Sequence, residues 1–243
     1  MAKELGTDPA TTVRIARGLG FESYKDFQYY LHELSVVRAT SLDTMQSGSS
    51  ADSTVTAQMQ ACLNQELKNF RALYSGLDFN RLEKLARRLW KARRILLIGG
   101  DAATSLVNYL HYHFNILSLP VFVATSPGNS VHLVRGLEKD DVLLAISFRR
   151  GLRMTIEGIQ QARKQHAYCI GITDTYISPV ARFSNEFFLA PVDTTSFGVS
   201  YSAPVCLLNV LLVALAEVHR SQTLHIMKKV AEEQRHGFRF FEG

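Results

Sequence analysis

Five short apolar segments, separated by segments of helical periodicity, occupy the middle of this 243-residue chain. They lie at residues 95–98, 121–124, 141–146, 168–172 and 186–189. The intervening and following helices are predicted at 102–117, 130–135, 153–165, 179–183, 203–220 and 224–238. Short strands that alternate with helices form a parallel sheet covered on both faces. We therefore expect an α/β fold with a doubly wound, parallel, five-stranded sheet, whose ligands bind at the carboxyl ends of the strands.

The end of the first predicted strand has the features of an anion-binding turn. Arg94 and four apolar residues run into Gly99, Gly100 and Asp101, and a helical pattern that contains Thr104 follows. Backbone N–H groups at the start of a helix lack intrahelical partners, and the helix dipole favours negative charge there. This turn is therefore the first candidate for contact with an anionic ligand.

A small helical module precedes the predicted sheet. Asp8 followed by Pro9 predicts the start of a helix that ends near Gly20, and a further helix follows Ser23. A short turn followed by a capped helix with early polar residues suits a reader of the DNA major groove. The candidate DNA contacts are Thr11, Thr12, Arg14 and Arg17. The alternative is a helical cap or a dimerisation element.

The composition divides the chain into three parts. Residues 41–54 are small, polar and rich in serine, which predicts a linker between a module at 1–40 and a domain at 55–243. Two amphipathic helices, at 55–73 and 79–91, lead into the sheet. The net charge of +5 is concentrated in residues 60–94, which hold nine basic and three acidic residues.

The chain lacks the sequence features of a membrane or secreted protein. No apolar run reaches the roughly 18 residues that span a bilayer, and no signal-peptide pattern follows Met1. The three cysteines, Cys62, Cys169 and Cys206, are scattered among apolar residues, which favours buried free thiols over a disulfide or a metal site. We expect a cytoplasmic protein with no membrane partner, no metal and no cofactor.

Residues 2–21 closely resemble the helix-turn-helix of RpiR/MurR-type bacterial transcriptional regulators. The matches at Thr11, Arg14 and Leu19-Gly20-Phe21 are distinctive, and the segment from Tyr24 to Phe27 fits the continuation of the family pattern. The resemblance begins inside the second helix of that module, so residues 1–40 are expected to form a partial helix-turn-helix domain. It implies operator DNA as a partner and a homodimer or homotetramer as the assembly.

The resemblance continues into the C-terminal part, because these regulators carry a sugar isomerase (SIS) domain. The matching segments are residues 99–104, 140–147, 171–174, 178–181 and 196–200. The resemblance implies that residues 55–243 bind an effector, a small anionic metabolite that is most simply a sugar phosphate.

The loop after the third predicted strand departs from the SIS pattern Ser-x-Ser-Gly-x-Thr. It reads Ser147-Phe148-Arg149-Arg150-Gly151-Leu152. Arginine presents a planar donor fork that suits phosphate or carboxylate. The candidate ligand contacts are therefore Gly100, Asp101, Thr104, Ser147, Arg149, Arg150 and Thr155. The alternative is that the arginines are solvated or form a subunit contact.

These features favour a ligand-responsive, DNA-binding transcriptional regulator over an enzyme. Isomerases of this fold need an acid or base at the sugar. The side chains weighed for that role are Glu157, His132, His111 and His113, and none is assigned as catalytic. Two alternatives stay open: a phosphosugar isomerase, and an SIS-domain sensor that acts through protein contacts without binding DNA.

Overall fold

A parallel five-stranded sheet lies at the centre of the protein. The computed structural model describes residues 8–19, 21–38 and 54–236, together with residues 43 and 45. The strands are β1 (Ile95–Ile98), β2 (Val121–Ala124), β3 (Val142–Ile146), β4 (Tyr168–Thr173) and β5 (Glu186–Leu189), in the order β2-β1-β3-β4-β5. Every pair of neighbours is parallel. The predicted fold class is confirmed.

Helices precede the sheet, connect its strands and follow it. They are α1 (Pro9–Gly18), α2 (Tyr24–Arg38), α3 (Val55–Gly76), α4 (Phe79–Lys91), α5 (Thr104–Ile116), α6 (Pro127–Arg135), α7 (Arg153–Lys164), α8 (Pro179–Phe183), α9 (Ser202–Val218) and α10 (Arg220–His236). A short 3-10 turn, Asp101–Ala103, precedes α5. Most of the predicted linker lies outside the described residues.

Alternate residues of the central strand β1 pack into two different cores. Ile95 and Leu97 lie in the larger core, which α4, α5 and α9 cover, whereas Leu96 and Ile98 lie in the smaller core under α6, α7 and α8. All four side chains are buried. Successive side chains of a strand point to opposite faces, so the continuous apolar run of β1 reflects a strand covered on both sides.

The α1–α2 module is held by its own small aromatic cluster. Asp8 caps α1 by accepting a hydrogen bond from the Ala10 backbone N–H, and Pro9 occupies the first turn. The ring of Phe21 lies 5.3 Å, between centroids, from the rings of both Phe27 and Tyr30. Capping and aromatic contacts of this kind are local, and both follow from the sequence.

Among the described helices, none alone has the length and hydropathy needed to cross a bilayer. The helices α9 and α10 reach that length and hydropathy only as a pair, and the pair is bent by 104° at the junction.

Candidate functional site

The carboxyl ends of β1 and β3 form the centre of the candidate site, which we call the crevice because open α/β sheets bind ligands at such a place. The chain leaves β1 toward β2 on one side and later returns to β3 on the other, so the direction of winding reverses here. A Cβ at Gly99 would lie 2.9 Å from the Ile146 carbonyl oxygen. A Cβ at Gly100 would lie 3.0 Å from side-chain carbons of Leu152 and Met154. The two glycines therefore permit the close approach of the loops.

Several helices begin at this edge of the sheet without a side-chain cap. The N-cap residues of α5, α6 and α7 make no side-chain cap hydrogen bond. At the start of α9, the Ser200 hydroxyl accepts a hydrogen bond from the Ser202 backbone N–H at 3.2 Å. Side-chain caps are present on the five-residue helix α8 and on three helices that do not connect strands; the capping residues are Ser178, Asp8, Thr54 and Asp78. Uncapped first turns direct backbone N–H groups and the positive ends of the helix dipoles toward an anion.

A tyrosine that the sequence analysis did not select lies at the same crevice. Burial raises the pKa of the Tyr201 phenol, and the charge of Asp101 raises it further. The Tyr201 ring packs 5.4 Å, between centroids, from the ring of Phe148, which follows β3. The phenol is protonated at neutral pH and can donate a hydrogen bond. The sequence feature that could have selected Tyr201 is its position directly after the SIS-like segment 196–200.

The arginine loop after β3 is held by two polar side chains. Ser147 is buried, and its hydroxyl oxygen accepts a hydrogen bond from the Leu152 backbone N–H at 3.0 Å. The Asp174 carboxylate accepts one from the Arg149 backbone N–H at 2.9 Å. Arg149 and Gly151 both adopt positive φ angles, 58° and 70°. The structure thus uses the Ser147 hydroxyl to shape the loop, and its contact with a ligand stays a prediction.

The two arginines of this loop have different surroundings. Arg149 is partly buried and lines a cavity of about 440 Å³ together with Lys68 and Asn69 of α3. Its Nε atom is buried and has no hydrogen-bond partner among the described residues. Arg150 is exposed. Since Asp174 and Asp193 also line the cavity, Arg149 faces both positive and negative side chains there.

The predicted ligand contacts therefore separate into groups. Gly100, Asp101, Thr104 and Ser147 belong to the loops that form the crevice, whereas Arg149 lines the cavity beside α3. Thr155 is fully buried in the first turn of α7, and its hydroxyl has no partner among the described residues. Thr155 is thus closed to solvent in this structure, and its direct contact with a ligand stays a prediction.

The side chains weighed as acids or bases have structural partners. Glu157 is exposed and forms an ion pair with Arg153 at 2.7 Å. His132 forms a hydrogen bond with Arg135, and His111 forms one with Asn115. The His113 ring packs against the rings of Tyr109 and Tyr112. Across the described ranges, no group of three or more histidine, cysteine or carboxylate side chains could hold a metal ion.

The basic excess of the sequence lies at the opposite edge of the sheet. A groove of about 600 Å³ at the amino ends of β3, β4 and β5 is lined by six basic side chains, Arg81, Lys84, Arg87, Arg88, Lys91 and Lys139. Acidic partners offset part of this charge, as in the ion pair between Arg81 and Glu186. Most of the basic side chains of residues 60–94 therefore lie away from the carboxyl edge, whereas Lys68 lines the cavity beside Arg149.

The predicted DNA contacts differ in accessibility. Arg14 and Arg17 are exposed on α1, and Thr11 accepts a hydrogen bond from the Arg14 guanidinium at 3.1 Å. Thr12 is only 8% exposed, so its side chain is buried within the protein. All four stay predictions as DNA contacts, with Thr12 the least accessible.

The α1–α2 module contacts the sheet domain next to the arginine loop. The Gln28 side-chain amide donates a hydrogen bond to the Tyr176 hydroxyl at 2.7 Å. The Arg182 guanidinium lies 4.9 Å from the centre of the Tyr29 ring, which is buried. Tyr176 lies only two residues after Asp174, which binds the backbone of the arginine loop.

The comparison with known families agrees with this architecture. Residues 88–215, which include all five strands, match the SIS domain family. The chain belongs to the SIS domain family. Its SIS domain is similar in fold to the sugar isomerase domain of an RpiR transcription factor from Sphaerobacter thermophilus, with a TM-score of 0.67 and 18% identity. That likeness covers 71% of this chain and 97% of the other.

Two further relatives extend the comparison beyond the SIS domain. The NanR protein of Vibrio vulnificus, complexed with ManNAc-6P, has a TM-score of 0.67 and 19% identity over 96% of this chain and 84% of its own. An uncharacterized HTH-type transcriptional regulator of Clostridium perfringens is 26% identical over 190 residues. That match covers 76% of this chain and 66%, just under two thirds, of the relative.

Proposed function

We propose that this chain is a ligand-responsive transcriptional regulator whose SIS domain binds an anionic sugar derivative in the crevice between β1 and β3. The observation that supports the proposal is the absence of a side-chain cap at the starts of α5, α6 and α7, which follow the carboxyl ends of β1, β2 and β3. Backbone N–H groups of α5 and α7 would hold the anionic group, and the Tyr201 hydroxyl would donate to the sugar. The resemblance of the N-terminal module to a helix-turn-helix supports the regulatory role.

The contacts of the segment between β4 and α8 supply a route from ligand to DNA reader. Asp174 holds the arginine loop, and Tyr176 contacts Gln28 of the α1–α2 module. A ligand that reorders the arginine loop would therefore move a segment that also touches the reader. Such a ligand shifts the equilibrium only by as much as its affinity differs between the two arrangements.

Thermal unfolding with a panel of sugar phosphates, sugar acids and nucleotides tests the ligand class. ManNAc-6P is the first probe, because NanR is complexed with it. A ligand at one hundred times its Kd stabilises the folded state by about 2.7 kcal/mol, which raises the Tm by roughly 5–10 °C for a chain of this size. If no anionic compound raises the Tm, the proposal fails.

Two substitutions locate the binding site. A Gly100→Leu side chain would displace the Leu152 and Met154 side chains, alter the loop that leads into α7, and abolish the Tm shift. Arg149→Gln reports whether the cavity beside α3 takes part, and Arg87→Gln, in an exposed ion pair at the other edge, is the matched control. A Tm shift that survives Gly100→Leu places the ligand elsewhere and overturns the proposed site.

Binding to labelled duplexes that tile the DNA upstream of the gene tests the reader. The double variant Arg14→Gln/Arg17→Gln is expected to weaken binding and to reduce the dependence of affinity on salt, because each lost phosphate contact removes about one released counterion. Arg220→Gln, far along the chain in α10, is the control. DNA binding that is absent at low salt favours the sensor without DNA, and turnover of a bound sugar phosphate, followed by NMR, favours the isomerase.

A further inference from the structure

A row of basic side chains on α4 lines the groove at the amino edge of the sheet. The row consists of Arg81, Lys84, Arg88 and Lys91, and the last three are exposed. At 3.6 residues per turn, these residues fall within an arc of about 80° and extend along about 15 Å of helix. Lys139, in the turn before β3, adds a further exposed cation to the lining. We call this set of five residues the basic groove.

Acidic side chains neutralise only part of the charge of the basic groove. Arg81 is paired with Glu186 at 2.9 Å, and Asp141, which also lines the groove, is held by Arg93. Among the described residues, no carboxylate forms an ion pair with the other four cations, which are Lys84, Arg88, Lys91 and Lys139. These four exceed the one remaining carboxylate of the lining, Asp140. The groove therefore keeps a positive charge that is available to an anion.

Stacking holds the Arg88 guanidinium in place. Its central carbon lies 3.6 Å from the centre of the Tyr168 ring. The Tyr168 hydroxyl donates a hydrogen bond to Glu186 at 3.4 Å, and Glu186 also accepts one from Arg81, so the ring is itself fixed. A stacked guanidinium keeps the N–H donors at its edge free, and it loses little side-chain entropy when they bind phosphate.

We propose that the basic groove binds the phosphate backbone of duplex DNA, as a second contact surface outside the α1–α2 module. The choice of DNA over another polyanion rests on the proposed function. A row about 15 Å long matches the axial rise of about four successive phosphates of one strand, at roughly 3.4 Å per nucleotide. Contacts to phosphates carry no sequence information. The basic groove therefore contributes affinity and leaves the choice of sequence to the α1–α2 module.

The charge of the N-terminal segment supports a second DNA-binding surface. Residues 1–45 hold five basic and six acidic residues, so the segment that would read the operator has no excess of positive charge. Much of the affinity for DNA comes from cations that displace counterions from phosphates. The α1–α2 module contacts the loop after β4 through Gln28 and Tyr176, whereas the basic groove lies at the opposite edge of the sheet. The two surfaces therefore contact different segments of DNA.

Fluorescence anisotropy with a labelled duplex of arbitrary sequence, at salt concentrations from about 50 to 200 mM, tests the basic groove. The triple variant Lys84→Gln/Arg88→Gln/Lys91→Gln removes three exposed cations. The slope of log affinity against log salt concentration is expected to fall in magnitude by about 2.7, because each phosphate contact contributes about 0.9. Affinity at about 100 mM salt should fall about tenfold or more. Thermal unfolding confirms that the variant is folded.

The matched control removes the same charge from another surface. Lys228→Gln/Lys229→Gln/Arg235→Gln changes three exposed cations of α10, and the slope should change by less than the value of one contact, about 0.9. A groove variant that binds the duplex as tightly as this control does overturns the proposal. A wild-type chain that binds no duplex at about 50 mM salt also overturns it.

Two further measurements separate the basic groove from the reader and from a small-molecule site. The double variant Arg14→Gln/Arg17→Gln should lose any preference for upstream DNA and still bind the arbitrary duplex through the groove. Groove-dependent binding in a wild-type chain that shows no preference for upstream DNA supports the groove and contradicts the proposed regulator. Inorganic tripolyphosphate is the probe for a small ligand. If it raises the Tm of wild type but not of the groove variant, and no duplex binds, the groove serves a small phosphate and the DNA proposal is overturned.

Discussion

A buried carboxylate at the amino end of β3 provides the sharpest test of how the sheet is held. The Asp141 side chain has no exposed surface, and its oxygens accept hydrogen bonds from Arg93 Nε at 3.0 Å and Arg93 Nη2 at 2.7 Å. A third bond comes from the Glu138 backbone N–H at 2.8 Å. These contacts join the loop before β1 to the turn before β3.

We expect Asp141→Asn to lower the free energy of unfolding by about 2–3 kcal/mol. Asparagine retains one acceptor oxygen but turns a buried N–H₂ toward the guanidinium, and an unsatisfied buried group costs about 1–3 kcal/mol. The value stays below the full cost of breaking a buried ion pair, about 3–5 kcal/mol, because Arg93 is 43% exposed and can reach water. The corresponding fall in Tm is roughly 5–10 °C.

Urea unfolding followed by circular dichroism, at one protein concentration, measures the loss. The matched control is Glu83→Gln, which removes an exposed Arg–carboxylate pair on α4 and should cost no more than about 0.5 kcal/mol. Arg93→Gln should destabilise more than Asp141→Asn, because it leaves the buried carboxylate charged with a single donor. If Asp141→Asn costs no more than Glu83→Gln, the reasoning from burial is refuted.

Two further predictions concern the core. Burial raises the pKa of the Cys169 thiol from 9.0 to about 12. Between these pH values unfolding releases a proton, so the free energy of unfolding falls as the pH rises from 9 to 12, by up to about 1.4 kcal/mol per pH unit. Urea unfolding at a series of pH values should show this fall in wild type and a smaller one in Cys169→Ala. Gly171→Ala would place a Cβ 2.6 Å from a methyl carbon of Val180. Calorimetry should therefore show that the free energy of unfolding falls by about 1–3 kcal/mol, and that adding Val180→Ala restores part of it. Gly128→Ala, with no atom within 4 Å of its Cβ, is the control; a loss there equal to that at Gly171 would contradict the overpacking argument.

The strands were predictable because each is a short, mainly apolar run, and the central strands β1 and β3 are buried on both faces. The predicted and observed bounds of β1 are the same, and β3 begins one residue later than predicted. The residue in question is Asp141, whose side chain binds Arg93 instead of extending the apolar run. The order of the strands depends on contacts between distant segments, and the alternation of strands and helices does not specify it.

The helix α6 begins three residues earlier than predicted, although the sequence contains the signal. The predicted helix at 130–135 begins at Pro127 in the structure, directly after Ser126. Proline is favoured in the first turn of a helix and serine before it. Gly128 and Asn129 favoured a loop in the prediction, whereas in the structure the Ser130 hydroxyl donates a hydrogen bond to the Pro127 carbonyl within the first turn of the helix.

The candidate site was predictable in its location but not in its details. Loop sequences placed Gly100 and Ser147 at the same edge of the sheet, as the structure does. The pattern did not reveal that Arg149 lines a cavity with α3, because that contact joins residues about eighty positions apart. The contact between Gln28 and Tyr176 spans 148 positions and likewise depends on tertiary packing.

The helix α3 shows most clearly what periodicity leaves undetermined. Its pattern predicts an amphipathic helix, yet the pattern alone does not say whether an apolar face meets the same domain or another molecule. In the structure, Asn69 and Lys68 line the cavity of Arg149, whereas six large apolar side chains of the same helix remain exposed, namely Val55, Met59, Leu63, Leu67, Phe70 and Tyr74.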